Sequence, residues 1–149
     1  MTDVNGLSHP DNAATIGDNI FGTLGDPVNL KSQMFACSFG QLNIVTEYTQ
    51  DISEHEAAPG VIEVKLPISL TVNDRYTIHD AVTAEVEKKL GFTLPGPFEQ
   101  VMYVLEKCYV GCGWAAYAYV NSWMSVYQGA YYSQAGVQMH GENFIIVFI

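Results

Sequence analysis

Basic residues are scarce. Six Lys and Arg stand against sixteen Asp and Glu, a formal net charge of −10 over 149 residues. The cations are scattered as Lys31, Lys65, Arg75, Lys88, Lys89 and Lys107 without forming a patch. Such a surface repels phosphate backbones, so a nucleic-acid partner is not expected, and an anionic membrane surface is disfavoured for the same reason. Long apolar runs are lacking too: the C-terminal Phe144-Ile145-Ile146-Val147-Phe148-Ile149 falls far short of the roughly twenty residues a spanning helix needs, so no membrane span is expected. Met1-Thr2-Asp3-Val4-Asn5-Gly6 has neither a basic n-region nor an apolar h-region, so no signal peptide is expected in this chain. Cysteine is limited to Cys37, Cys108 and Cys112, too few for a disulfide scaffold. One bridge with one free thiol, or free thiols alone, both fit, and the pairing stays open. The Cys108-x-x-x-Cys112 pair has no second close pair to complete a zinc knuckle. No repeat period occurs.

What is present is apolar: 48% of residues are hydrophobic and only 15% charged. A chain of this length and composition buries enough surface to offset the entropy of ordering, as one globular domain. Residues 1–25, rich in Asp, Asn, Gly, Ser and Thr, read as an N-terminal loop or tail. Asp26-Pro27 then looks like a helix start, with apolar residues at Val28, Leu30, Met34, Phe35, Cys37, Phe39 and Leu42 predicting a helix over 27–42. Glu47, Asp51, Glu54 and Glu56 lie in a stretch with no Lys or Arg, best read as a solvated loop, with metal binding by Asp51, Glu54, His55 and Glu56 the lesser alternative. Residues 60–66 predict a strand bounded by Pro59-Gly60 and Pro67.

A second helix is expected from Thr77, with Ile78, Ala81, Val82, Val86 and Leu90 as its apolar stripe, Lys88 and Lys89 at its negative end, and Gly91 as its stop. His79 in its first turn reads as a solvent-facing or core-edge residue. The run Val101-Met102-Tyr103-Val104-Leu105 suits a strand covered on both faces. Residues 114–127 are aromatic and strand-forming, followed by a turn at Gln128-Gly129 and a short helix of small residues ending at His140. This order of helices and strands implies an α/β (α+β) chain built on one mixed sheet.

Several of these pieces, in order, resemble the catalytic domain of the gametolysin family of metzincin zinc metallopeptidases. They are Ile20-Phe21-Gly22-Thr23, the run 25–34, the run 36–43, Gly60-Val61-Ile62-Glu63-Val64, Val101-Met102-Tyr103 and 114–140, where Gln138-Met139-His140 matches the opening of the zinc helix. The resemblance implies a metzincin-like N-terminal subdomain, a mixed twisted sheet with an antiparallel edge strand packed on two or three helices, with 26–149 as a partial catalytic domain. It implies an extracellular or cell-wall endopeptidase acting on a protein or peptide substrate, with Trp123, Ser125 and Tyr127 binding that substrate. Zinc is the cofactor it implies, and His140 the one ligand that carries over.

A catalytic zinc needs two histidines one helical turn apart, a glutamate beside the first to activate water, and a third ligand beyond the helix, the pattern H-E-x-x-H-x-x-G-x-x-H. Counted from His140, the glutamate position holds Gly141, the second ligand position holds Phe144, and the third falls past Ile149. Glu142 is a weak candidate, standing at the second ligand position if two residues are absent from the motif. The expectation is a fragment that does not hold zinc alone and does not cleave peptides. A non-catalytic pseudo-peptidase that binds partners is the alternative.

Overall fold

The computed structural model describes residues 5–106, 113–129 and 132, and the backbone of 144–148. Three helices, α1 (Ala13–Phe21), α2 (Leu30–Cys37) and α3 (Arg75–Leu90), accompany six strands among these residues: β1 (Glu56–Ala58), β2 (Val61–Glu63), β3 (Gln100–Leu105), β4 (Ala116–Ala118), β5 (Met124–Gln128) and β6 (Phe144–Phe148). The strands form one mixed sheet in the order β1-β2-β6-β3-β5-β4. Its inner strands β2, β6, β3 and β5 run parallel, and the edge strands β1 and β4 are antiparallel to their neighbours. The expected mixed α/β chain with an antiparallel edge strand is what the structure has.

Alternation along β3 divides the core in two. Val101, Tyr103 and Leu105 pack with Ile78, Val82, Val86 and Leu90 of α3, while Met102 and Val104 pack with Ile16 and Ile20 of α1 and with Leu30. Successive strand residues point to opposite faces, so one apolar run serves helices on both sides, as its unbroken hydrophobicity predicts. Helix α3 keeps the expected stripe at Ile78, Val82, Val86 and Leu90, and stops at left-handed Gly91. It begins earlier than Thr77, because Asp74 is the N-cap and accepts from the Tyr76 and Thr77 amides.

Three expectations are corrected. Within the loop or tail expected over 1–25, residues 13–21 form a helix instead: Asn12 caps α1 by accepting from the Thr15 amide at 2.9 Å, and Ile16 and Ile20 are fully buried. Gly17 faces the sheet, where a Cβ would meet Val61 Cγ2 at 3.4 Å, an ordinary contact distance. The segment before α1 is also tied down. The His9 ring Nε2 lies 3.0 Å from the Gly129 carbonyl, and the Tyr132 hydroxyl donates to Asp11 at 2.7 Å while accepting from the Asn19 amide. The helix expected over 27–42 is shorter, because Asn29 and Ser32 form a reciprocal capping box that starts it at Leu30. Its apolar residues do not share one buried face: Leu30 is buried, while Val28, Phe35 and Phe39 are exposed. The strand expected over 60–66 is confined to Val61–Glu63.

Asn12→Ala should lower stability by about 1 kcal/mol in urea titration, the usual worth of an N-cap; no change would argue against the helix. Gly60 and Gly91 both have φ above +70°, so alanine costs about 1 kcal/mol at either through the left-handed backbone. At Gly60 the added Cβ would also meet Thr46 Cγ2 at 2.5 Å and Phe21 Cε2 at 2.6 Å, whereas Gly91 is open. Gly60→Ala is therefore expected to cost at least twice as much as Gly91→Ala, and equal losses would contradict the packing of β2 against α1.

Candidate functional site

The end of the sheet formed by β5 and β4 carries the features the sequence marked. Register pairs Ala116 with Tyr127, Tyr117 with Val126 and Ala118 with Ser125. The Gln128 amide donates to the Ala115 carbonyl at 3.0 Å. Antiparallel pairs alternate between those that exchange hydrogen bonds and those that do not. Tyr117 therefore spends its backbone groups on Val126, and the N–H and C=O groups of Ala116 and Ala118 point outward from the sheet. Among the described residues no strand pairs with that edge.

One flank of the edge is aromatic. Trp114 and Tyr117 meet edge to face at 4.8 Å, Tyr117 and Tyr119 at 5.9 Å. The Arg75 guanidinium lies 4.7 Å from the Tyr76 ring centre and 5.5 Å from that of Tyr117. Arg75 Nη2 also donates to the Tyr76 hydroxyl at 2.6 Å, so ring contacts and a hydrogen bond together hold the guanidinium against these tyrosines. Burial, with Tyr119 adding to it, pushes the Tyr117 phenol up to about 12.

Of the residues expected to bind substrate, only Trp123 reaches a surface. Ser125 is 4% and Tyr127 1% exposed, and Tyr127 belongs to the core beneath α1. Their side chains cannot touch a peptide laid along β4. Burial pushes the Tyr127 hydroxyl up to about 12, with the Ser125 hydroxyl nearby opposing the shift. Trp123, Asn121 and Ser122 instead line an open cleft of about 410 Å3 together with Glu99 and Gln100. Register explains the grouping. Val101 is beside Met124, so the residues before them, Gln100 and Trp123, also lie side by side. Asn121 sits at φ +57° in the β4–β5 turn, a conformation Asn tolerates better than most residues. Nothing in the local sequence linked Glu99 and Gln100 to 121–123; only the non-local pairing of β3 with β5 does.

His140, Gly141 and Glu142, and Cys108 and Cys112, lie outside the described residues. Cys37 is an exposed free thiol. His79 is half-buried, with Nδ1 3.0 Å from Asp80, as a core-edge residue should be. Asp51, Glu54, His55 and Glu56 do not form a metal group, and no cluster of three or more His, Cys, Asp or Glu side chains suited to a metal occurs among the described residues. The backbone also bears on a zinc helix: Phe144, at the second ligand position, opens β6 beside Gln100. An extended residue cannot sit one helical turn after His140 on the same helix face, so the residues present do not fit the zinc centre that the resemblance implies. Among the described residues no helix is long and apolar enough to cross a membrane.

Comparison with protein-family models, with curated proteins and with solved structures finds no match.

Burial also raises the phenols of Tyr48, Tyr103 and Tyr132 well above their ordinary value. A phenol whose pKa is raised by folding holds its proton more tightly in the native state. Its contribution is complete below the ordinary value near 10 and is lost as pH climbs through the folded value. Tyrosinate absorbance should show the buried group of the chain's nine tyrosines ionising only with unfolding, stability falling from about pH 10 toward about 12. Uniform titration of all the tyrosines in the folded protein would contradict the burial of β3 and β5.

Proposed function

We propose that this chain is a gametolysin-like zinc-metallopeptidase domain whose zinc site is not assembled, so that it does not hydrolyse peptides as it stands. The observation that carries the reading is the reversal of direction at β4. A short antiparallel edge strand precedes β5, and β5 leads into the segment that ends at His140, the order the resemblance calls for. In this reading the ligand is an extended protein or peptide segment, and the setting is extracellular or at a cell wall. Zinc is the metal of the family, with His140 as its single matching ligand. The Gly141 and Phe144 positions supply neither the general base nor the second imidazole.

A second reading, the pseudo-peptidase that binds without cleaving, is favoured by the entry of residue 144 into β6. A strand begun there commits the backbone to the sheet and not to a catalytic helix. Extended peptide would add to the outward groups of Ala116 and Ala118 by main-chain hydrogen bonds, the general mode of strand addition. Alternate side chains of such a peptide would meet Tyr117 and Tyr119 on one flank, and the small Ala116 and Ala118 on the other.

The purified chain with added zinc should show no casein hydrolysis above background; turnover that chelator and His140→Ala both abolish would overturn the proposal. Binding is measured separately, with fluorescent casein-derived peptides. Ala118→Pro removes an outward N–H without breaking a bond to β5, a substitution that edge strands tolerate. It is expected to weaken peptide binding at least tenfold with the thermal transition preserved. Unchanged binding would rule out the β4 edge.

A further inference from the structure

The face of β4 that looks toward α3 brings three phenol rings together with the chain's one arginine. Tyr117 packs against the core under α3, and Tyr119, two positions on, meets it ring to ring at 5.9 Å. Arg75 opens α3, and its guanidinium lies over the rings of Tyr76 and Tyr117. Its bond to the Tyr76 hydroxyl uses one N–H of a fork that has several. The acids nearest in sequence are engaged elsewhere: Asp74 accepts from the Tyr76 and Thr77 amides and from the Thr77 hydroxyl, and Asp80 lies 3.0 Å from the His79 ring. Among the described residues Arg75 enters no ion pair. A cation at the first position of a helix stands at the positive end of the dipole, where its charge opposes the helix. The stability of α3 therefore gives no reason for an arginine here. Tyr76 is 52% and Tyr119 46% exposed, so the group is open to solvent.

We infer that this cluster selects an acidic side chain from the peptide that adds to β4. The inference rests on the strand-addition reading of that edge and deepens it. Tyr117 exchanges its backbone hydrogen bonds with Val126, so in an antiparallel addition the peptide residue opposite Tyr117 makes none across the new interface. That is the closer kind of cross-strand pair, with Cα atoms about 4.5 Å apart. Directly opposite side chains share a face, so this one falls on the α3 side, over Tyr117 and beside the guanidinium that lies 5.5 Å from its ring centre. An aspartate or glutamate there accepts from guanidinium N–H groups, a charge-assisted contact whose planar geometry suits a carboxylate. The positive end of the α3 dipole acts in the same direction. A lysine or arginine would meet a like charge held in place by two rings, and a neutral side chain would gain the ring contacts alone. The net charge of −10 opposes any acidic ligand at a distance, and salt screens that repulsion more than it screens a contact pair. The preference therefore belongs to one position of the peptide and not to its overall charge.

The test uses fluorescent peptides of alternating threonine and valine with glutamate, glutamine or lysine at the centre, titrated into the nitrogen-15-labelled chain. The glutamate peptide is expected to bind about fivefold tighter than the glutamine one, the upper end for a solvent-exposed ion pair, with the lysine peptide weakest. It should also shift the Arg75 Nε–H signal, which the glutamine peptide should leave in place. In Arg75→Gln the glutamate and glutamine peptides should bind alike, with the glutamine peptide's affinity and the thermal transition unchanged. Arg75→Lys should restore part of the preference, because it keeps the charge and loses the fork. Equal binding of all three peptides that Ala118→Pro still abolishes overturns acid selection and leaves strand addition standing. A preference for glutamate that survives Arg75→Gln overturns it as well. Absence of binding by every peptide overturns both readings. Dimerisation in sedimentation that Ala118→Pro abolishes and that the peptides compete away would make a second copy of the chain the occupant, and so also overturns the inference.

Discussion

Strand β3 is the constraint on which the rest of the structure depends. It is buried on both faces and paired on both edges, by β6 and β5, in parallel register. A strand in that position has no solvent to satisfy its amides and no face free of helix, so each neighbour is obliged to be where it is. Helix α3 covers one face because its stripe fits Val101, Tyr103 and Leu105, and α1 covers the other because Ile16 and Ile20 fit Met102 and Val104. The position of β6 between β2 and β3 follows from the same need. Without it the backbone of β3 would have an open edge in the middle of the molecule.

Committing residues 144–148 to a central strand gives Phe144 an extended backbone beside Gln100. At the β4 edge, reversal of direction leaves the sheet with a short open edge, flanked by Trp114, Tyr117 and Tyr119. Edge strands left unpaired are a liability for aggregation, and brevity is one way proteins limit the hazard. Here the edge presents the backbone groups of only Ala116 and Ala118, enough for a short peptide and little for a second sheet.

Much of this was legible in the sequence where the signal is local. Gly91 stops α3 as expected, although its cap is Asp74 and not Thr77; its apolar residues recur every four positions, and the uninterrupted run 101–105 announces a doubly covered strand. Helix α1 escaped because it is short, and because Gly17, Asp18 and Asn19 on it look like loop residues. The strand tendency of 144–149 could be read, but not its central place, since parallel pairing joins residues far apart and leaves no local period. The cleft was half legible. Trp123 was singled out from its surroundings, while Glu99 and Gln100 were brought to it by β3–β5 register, and Ser125 and Tyr127 proved to face the core.

Native-state hydrogen exchange at the backbone amides of residues 145–148 tests the central claim most directly. Amides that form the middle of a sheet open only with much of the fold. Protection close to that of β3 is the expected result, with the outward amide of Ala118 exchanging far faster. Rapid exchange at 145–148 alongside full protection of β3 would contradict the placement of β6, and would reopen a helix after His140.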